Sequence, residues 1–205
     1  IASTSTCSCG IGKYKNSGML DCLNCNVGRY NDETSQTLCK MCNAGLYLDE
    51  RGRSAAFECK PCPAGTYSAL GSLVCAQCRK GTYSLKSKQT SSESCLVCSS
   101  GTFTELEGTG TTCKDCPINT FISDSIDRTK HKDSSDCQNC KSGQFSSSGS
   151  PFCDACTIGQ YYDNSTNICL MCPKGFKGIK NGEDARCEIC QHGRYQAESG
   201  MAFCL

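Results

Sequence analysis

The sequence predicts a small disulfide-rich, all-β fold in which hairpin repeats stack into an elongated rod, with little or no helix. Three observations predict it: a very high cysteine content, a shortage of core-forming side chains, and one short motif that recurs along the whole chain. Of the 205 residues, 23 are cysteine, a share typical of disulfide scaffolds. Leu, Ile, Val and Phe together number only 31, too few for one compact hydrophobic core.

The shortage of apolar residues makes covalent links necessary. Ordering the backbone costs about 1–2 kcal/mol per residue, and burial of so few apolar side chains cannot offset that cost. Disulfides are the obvious replacement, and they persist outside the cytosol. We therefore expect an extracellular or cell-surface protein that is secreted through an oxidising pathway.

The charge balance excludes two classes of partner. Lys and Arg number 21 and Asp and Glu number 20, which leaves a net charge of +1 with no block of like charge. We therefore expect no nucleic-acid partner and no binding to an anionic membrane. No run approaches the roughly 20 apolar residues that cross a bilayer, so we expect no membrane span within this stretch.

Because the sequence begins at Ile1 and stops just after Cys204, inside an expected cysteine pair, we expect it to be a window on a longer polypeptide.

Cysteine pairs of the form C-x2-C recur along the chain, and the second cysteine of each pair opens the motif C-x2-G-x-[YF]. The motif occurs eleven times with two departures, and Cys62, Gly65 and Tyr67 form a complete copy. Successive second cysteines lie 16 to 24 residues apart, and insertions fall between the aromatic residue and the next pair. We therefore expect residues 1–205 to form a tandem array of about eleven repeats. The ten complete pairs begin at Cys22, Cys39, Cys59, Cys75, Cys95, Cys113, Cys137, Cys153, Cys169 and Cys187.

The motif predicts a small two-stranded hairpin in each repeat. Its glycine indicates a turn with positive φ or a close approach of another chain segment, and Asn119, which tolerates left-handed backbone, replaces it in one copy. The aromatic residue begins a strand, and we expect it to cover the disulfide and backbone of the adjacent repeat, so that stability depends on nearest neighbours. In another copy Lys177 replaces the aromatic residue, which predicts a weak or bent joint at this unit. The aromatic residues expected to pack between repeats are Tyr14, Tyr30, Tyr47, Tyr67, Tyr83, Phe103, Phe121, Phe145, Tyr161 and Tyr195.

The disulfide pairing has a few periodic solutions. The simplest joins the second cysteine of one pair to the first cysteine of the next, which closes each hairpin and leaves only Cys7 unpaired. A bridge within each C-x2-C pair is the alternative, and it would leave the hairpins open. The first solution joins Cys9 with Cys22, Cys25 with Cys39, Cys42 with Cys59, Cys62 with Cys75, Cys78 with Cys95, Cys98 with Cys113, Cys116 with Cys137, Cys140 with Cys153, Cys156 with Cys169, Cys172 with Cys187, and Cys190 with Cys204.

The motif resembles a known family of repeats. The stretch from Cys62 through Gly65 and Tyr67 to Cys75 and Cys78 is similar to the ephrin-receptor-like cysteine-rich repeat and to the single-disulfide module of tumour-necrosis-factor receptors. The resemblance implies that the cysteine before the motif glycine pairs with the next cysteine downstream, and that successive modules stack into rods.

Zinc is an alternative use of the cysteines, since C-x2-C pairs separated by about 12 to 20 residues match the ligand spacing of zinc ribbons. The motif that accompanies every pair counts against it, and we expect no metal site and no cofactor. We expect the two histidines, His131 and His192, to be solvated loop residues. No nucleophile and base stand out, and a rod of hairpins offers no deep pocket, so we expect no enzyme activity and no catalytic residues.

One modification site stands out. Asn164 opens the sequon N-S-T in the predicted turn of a 16-residue repeat, which makes it the candidate site for an N-glycan. The rarer N-x-C form at Asn167 is expected to stay empty because Cys169 is bonded. We expect the charged cluster at 49–53 and the insertion at 124–136 to be solvated loops, with partner contacts as the alternative.

Together these features favour an extracellular structural protein: the rod or shaft of a surface filament, or a matrix or stalk component. Long arrays of this type resemble those of surface and matrix proteins of protists and algae, including flagellar hair (mastigoneme) components, so the expected partners are the protein itself or other filament and matrix proteins. The alternative function is a receptor or adhesion ectodomain that binds a protein ligand.

Overall fold

A computed structural model describes residues 8–16, 21–141, 143–182 and 184–205. Within these residues twenty short strands form ten two-stranded antiparallel hairpins, each made of consecutive strands. The expected disulfide-rich, all-β class is therefore confirmed. The hairpins are β1 Lys13–Tyr14 with β2 Leu23–Asn24, β3 Arg29–Tyr30 with β4 Lys40–Met41, β5 Leu46–Tyr47 with β6 Lys60–Pro61, β7 Thr66–Tyr67 with β8 Ala76–Gln77, β9 Thr82–Tyr83 with β10 Leu96–Val97, β11 Thr102–Phe103 with β12 Lys114–Asp115, β13 Thr120–Phe121 with β14 Gln138–Asn139, β15 Gln144–Phe145 with β16 Asp154–Ala155, β17 Gln160–Asp163 with β18 Ile168–Met171, and β19 Phe176–Asn181 with β20 Asp184–Ile189.

Disulfides close the hairpins. Eleven bridges run from Cys9–Cys22 to Cys190–Cys204, and each joins the second cysteine of one pair to the first cysteine of the next. Their Cα–Cα distances of 5.5 to 5.9 Å are those of ordinary disulfides. Cys7, which the pairing leaves over, lies outside the described residues. We name each repeat below by the bridge that closes it.

The insertions carry short 3₁₀ turns in place of longer elements. These turns span Ala56–Glu58, Ser92–Ser94, Arg128–Lys130 and Ser134–Asp136, in the three repeats with the longest loops. No α-helix occurs in the part of the chain that the structure describes. In the same residues no helix has the length and apolar character needed to span a bilayer.

The repeat with Lys177 in place of the aromatic residue contains β19 and β20, which pair over six residues each. Lys177 faces Glu188 across the ladder, with 3.8 Å between Nζ and Oε2. Gly178, which follows Lys177, packs directly on the backbone of Gly159 in the preceding repeat. The ladder of this repeat is therefore longer than those of most other hairpins, and the weak or bent joint expected at Lys177 stays a prediction.

Contacts divide the chain into two compact units. The first comprises Ile1–Val97 and Leu106–Thr112, and the second comprises Cys98–Glu105 and Cys113–Leu205. The Cys98–Cys113 repeat therefore contributes its loop to the first unit and its strands to the second.

Buried side chains recur at two positions of the repeat. The second cysteine of most pairs is fully buried. The other buried position is the residue directly after the motif aromatic, whereas most of the aromatic residues themselves are only half-buried. Phe103 is buried, and Tyr195 is 63% exposed. The second buried position is occupied by Asn31, Leu48, Ser68, Ser84, Thr104, Ile122, Ser146, Gly178 and Gln196.

Candidate functional site: the joint between repeats

In at least seven repeats the residue at the motif glycine position joins the repeat to the next through its backbone. Its N–H donates to the carbonyl of the residue that follows the aromatic in the next repeat, at 2.7 to 2.9 Å. Positive φ at the glycine turns the N–H toward that neighbour, and Asn119 adopts the same region with φ of 61°. The donor and acceptor pairs are Gly12 with Asn31, Gly28 with Leu48, Gly45 with Ser68, Gly65 with Ser84, Gly101 with Ile122, Asn119 with Ser146, and Gly175 with Gln196.

A second bond runs from the loop of each repeat back to the preceding one. Each of these loops contains a residue with φ between 58° and 79°, which we call the loop turn. Its N–H donates to the carbonyl of the second cysteine in the preceding repeat, at 2.7 to 3.0 Å. The loop turns and their acceptors are Ser35 with Cys9, Gly52 with Cys25, Gly71 with Cys42, Lys88 with Cys62, Gly108 with Cys78, Gly149 with Cys116, and Gly200 with Cys172.

The loop turn also lies against the repeat two positions earlier. A Cβ on Gly28 would overlap the carbonyl oxygen of Gly71, and a Cβ on Gly71 would lie 3.3 Å from Met41 Sδ. Gly28 and Met41 flank the Cys25–Cys39 bridge, whereas Gly71 belongs to the Cys62–Cys75 repeat. We call this arrangement, in which two earlier repeats hold one loop turn, the interlock. The same overlap joins Gly12 with Gly52, Gly45 with Lys88, Gly65 with Gly108, Gly101 with Gly149, and Gly159 with Gly200.

The interlock extends the contacts between repeats beyond nearest neighbours. Sequence analysis expected contacts between nearest neighbours only, but six motif glycines also lie against the second neighbour. Every one of these contacts lies within one of the two units. Because the groups involved are mainly backbone atoms, the interlock tolerates variation in most side chains while it demands glycine at the motif position.

Buried polar side chains complete the joint, and sequence analysis missed them. Asn31 Nδ2 donates to Lys13 O at 2.7 Å, and Ser68 Oγ donates to Leu46 O at 2.9 Å. In each case the acceptor is the residue before the aromatic in the preceding repeat. A buried carbonyl left without a donor costs about 1–3 kcal/mol, which explains why small polar residues recur at a buried position. Because adjacent residues of a strand face opposite sides, the residue after the aromatic could have been predicted to face the side opposite the aromatic.

His131 makes the equivalent bond in the repeat with the longest insertion. Ile122 occupies the buried position there and cannot donate. Instead, His131 Nδ1 lies 2.7 Å from Thr102 O, and the imidazole is fully buried. Because a carbonyl only accepts, Nδ1 carries the proton. The expectation that His131 is a solvated loop residue is therefore wrong, whereas His192 is exposed.

Asp124 begins the insertion that carries His131. Its carboxylate accepts hydrogen bonds from the backbone N–H groups of Asp127 at 2.7 Å and Ile126 at 2.9 Å. These bonds lower the pKa of Asp124 to about 2, with a smaller contribution from Lys130. Asp124 Oδ1 lies 3.8 Å from His131 Nε2. The insertion is thus an ordered loop anchored on the array.

The charged cluster at 49–53 pairs with itself and its surroundings. Lys60 Nζ lies 2.8 Å from Asp49 Oδ1, and this hydrogen bond lowers the pKa of Asp49. Arg53 contacts Glu50, and its Nε lies 3.3 Å from Glu58 Oε2. Exposed pairs of this kind contribute about 0–1 kcal/mol each. The cluster is therefore a solvated, internally paired surface.

Two cavities lie in the second unit. The larger, of about 420 Å³, is lined by Tyr161, Tyr162, Phe176 and Arg186, and by the sequon residue Asn164. A second, of about 360 Å³, lies beside the Cys190–Cys204 repeat.

The cysteine chemistry is that of disulfides. Twenty-two cysteines are bonded to one another and so present no thiolate that could hold zinc. Among the described residues there is no group of three or more His, Cys, Asp or Glu side chains placed to hold a metal ion.

These repeats match a family by sequence as well. The profile of the family described as tyrosine-protein kinase ephrin type A/B receptor-like matches residues 12–56 and 65–111, which are two tandem stretches of the array. Residues 12–56 and 65–111 contain ephrin-receptor-like repeats. The matched stretches include the motif glycines and loop turns that build the interlock in the first unit, so the interlock is part of the architecture of these ephrin-receptor-like repeats. No curated protein matches the chain.

Proposed function

We propose that this array of ephrin-receptor-like repeats is a structural component of an extracellular assembly, the shaft of a surface filament or a stalk or matrix element. The disulfides and the family indicate an extracellular or cell-surface domain. The observation that carries the structural role is the interlock, which repeats the same backbone bonds from one module to the next.

The interlock suits a load-bearing role. A pull on one repeat is resisted by the disulfide that closes it and by hydrogen bonds to the repeats on either side. Repeat arrays of this kind present recurring surfaces, and a heterologous contact between such surfaces propagates into a filament. In this proposal residues 1–205 form a tandem array of about eleven repeats, and the partners are further copies or other matrix proteins.

The way the polar groups are used supports a non-enzymatic role. The buried polar side chains Asn31, Ser68 and His131 donate to backbone carbonyls. The paired cysteines are structural crosslinks. The matched family is a receptor-like repeat type, and the match gives no reason to propose an enzymatic activity.

Exposed apolar side chains on the insertions favour a second candidate, a receptor or adhesion ectodomain. Phe57 is 88% exposed and Ile126 is 84% exposed, and each lies in an insertion rather than in the repeat itself. Large exposed apolar residues on loops are common anchors for protein ligands.

Electron microscopy of the native protein, unreduced and without detergent, tests the proposal. A structural shaft predicts filaments with a regular axial repeat, and mild reduction should dismantle them. Isolated particles that require detergent for recovery would overturn it in favour of the receptor role. Phe57→Ala and Ile126→Ala should then abolish capture of the ligand while leaving the fold intact.

A further inference from the structure

The larger of the two cavities described above is lined by three aromatic residues and one arginine. These lining residues are Tyr161, Tyr162, Phe176 and Arg186. Its volume of about 420 Å³ falls within the range of about 300–1,000 Å³ for small-molecule sites. Seven of the eight tyrosines occupy the motif position, and Tyr162 is the exception. The repeat motif therefore accounts for Tyr161 and does not account for Tyr162.

Asn164 lies on the same cavity. It is exposed in the four-residue turn between β17 and β18, two residues after Tyr162. The hydroxyl of Tyr162 donates to Asn167 Oδ1 at 3.1 Å, which holds the ring along this turn. The sequon hydroxyl of Thr166 donates to Asp163 Oδ2 at 2.6 Å, and this side of the turn is fixed as well. The turn thus presents the Asn164 amide beside an aromatic surface.

We propose that Asn164 carries an N-linked glycan whose first sugar packs into this cavity against Tyr162. The cavity has the chemistry that a sugar requires. The C–H face of a pyranose ring packs on aromatic rings, and Arg186 supplies donors for its hydroxyl groups. A glycan attached at the edge of the cavity enters it without the loss of translational freedom that a free sugar would suffer.

The secretory machinery supplies the sugar donor for the attachment step. The side-chain nitrogen of Asn164 displaces a polyprenyl pyrophosphate from C1 of the first sugar of a lipid-linked oligosaccharide. One N–C bond forms, one C–O bond breaks, and the amide releases one proton. The donor is this lipid-linked oligosaccharide, and the step precedes folding of the turn. The inference is independent of the proposed filament, because a secreted monomer would carry the same glycan.

Mass spectrometry of the protein secreted from a eukaryotic host tests the attachment. The peptide that contains Asn164 should carry hexosamine and hexose in the natural chain and in Thr166→Ser, which keeps the sequon. Thr166→Ala should yield the bare peptide. A bare peptide in the natural chain would overturn the proposal.

The rate at which a peptide N-glycanase releases the glycan from the folded protein tests the packing. Tyr162→Ala should release it severalfold faster than the natural chain, and Tyr162→Phe, which keeps the ring and loses only the bond to Asn167, should release it at a rate much closer to that of the natural chain. Ile168→Ala is the matched control, because Ile168 lies in the same hairpin, is 46% exposed and does not line the cavity. Equal rates for the natural chain and Tyr162→Ala, or an equal increase in Ile168→Ala, would overturn the packing. All variants should release the glycan equally fast once unfolded.

Discussion

Replacing Gly65 by alanine isolates the contact between a motif glycine and the loop turn two repeats later. Gly65 has φ of 81°, and a Cβ there would overlap Gly108 O and lie 2.8 Å from Gly110 N. Gly175 occupies the same motif position with φ of 84°, but a Cβ there meets nothing within 4 Å. The pair of variants therefore separates the cost of the backbone conformation from the cost of the overlap.

The expected magnitudes follow from these contacts. Placing an L residue in the left-handed region costs about 1–2 kcal/mol, and this should be the whole effect of Gly175→Ala. In Gly65→Ala the loop must also move away, which strains the hydrogen bonds from Gly108 N to Cys78 O at 2.7 Å and from Ser84 N to Thr109 O at 3.1 Å. Each bond contributes about 0.5–1.5 kcal/mol. Gly65→Ala should therefore destabilise the first unit by about 2–5 kcal/mol.

Guanidinium unfolding with the disulfides intact measures both variants. The chain contains eight Tyr and no Trp, so tyrosine emission reports the transition without interference. We expect a clearly larger decrease in midpoint for Gly65→Ala than for Gly175→Ala. Equal decreases would refute the interlock, because they would show that only the backbone conformation of the motif glycine matters.

Three further perturbations test other parts of the account. Replacing Cys25 and Cys39 together by serine should lower the free energy of unfolding by about 2–4 kcal/mol, and an unchanged urea midpoint would contradict the structural role of the bridges. His131→Ala should cost about 1–3 kcal/mol, since it leaves the carbonyl of Thr102 without a donor, and thermal unfolding measures the loss. The depressed pKa of Asp124, about 2 in the folded chain against about 3.9 when unfolded, means that its stabilising bonds are fully present above pH 4. They should be lost as the pH falls from about 4 to 2, so the amide chemical shift of Ile126, which donates to Asp124, should change over that range by much more in the natural chain than in Asp124→Asn.

The features of the fold that lie within a single repeat could be predicted from the sequence. Cysteine spacing and the position of the insertions predict hairpins closed by disulfides, and the structure has them. The motif glycine was assigned two possible reasons, positive φ and a close approach of another chain segment. At Gly28 the structure has both.

What the sequence could not supply is the arrangement of one repeat on the next. The contact between Gly28 and Gly71 spans two repeats, and no spacing within a single repeat encodes how far successive hairpins are rotated. His131 escaped prediction for a related reason. Ile122 occupies the position at which several other repeats have a polar donor, and His131 bonds to Thr102 O instead. The sequence does not indicate this role, because the acceptor at Thr102 is known only from the structure.

Native-state hydrogen exchange at the motif glycines tests the central claim most directly. In an isolated hairpin the N–H groups of Gly28, Gly45 and Gly65 would face solvent, because their acceptors belong to the next repeat. With glycine isotopically labelled and the disulfides intact, we predict exchange at these three amides that is orders of magnitude slower than in an unstructured peptide. Exchange at the unstructured rate would show that each hairpin stands alone, and it would contradict the joint between adjacent repeats on which the interlock is built.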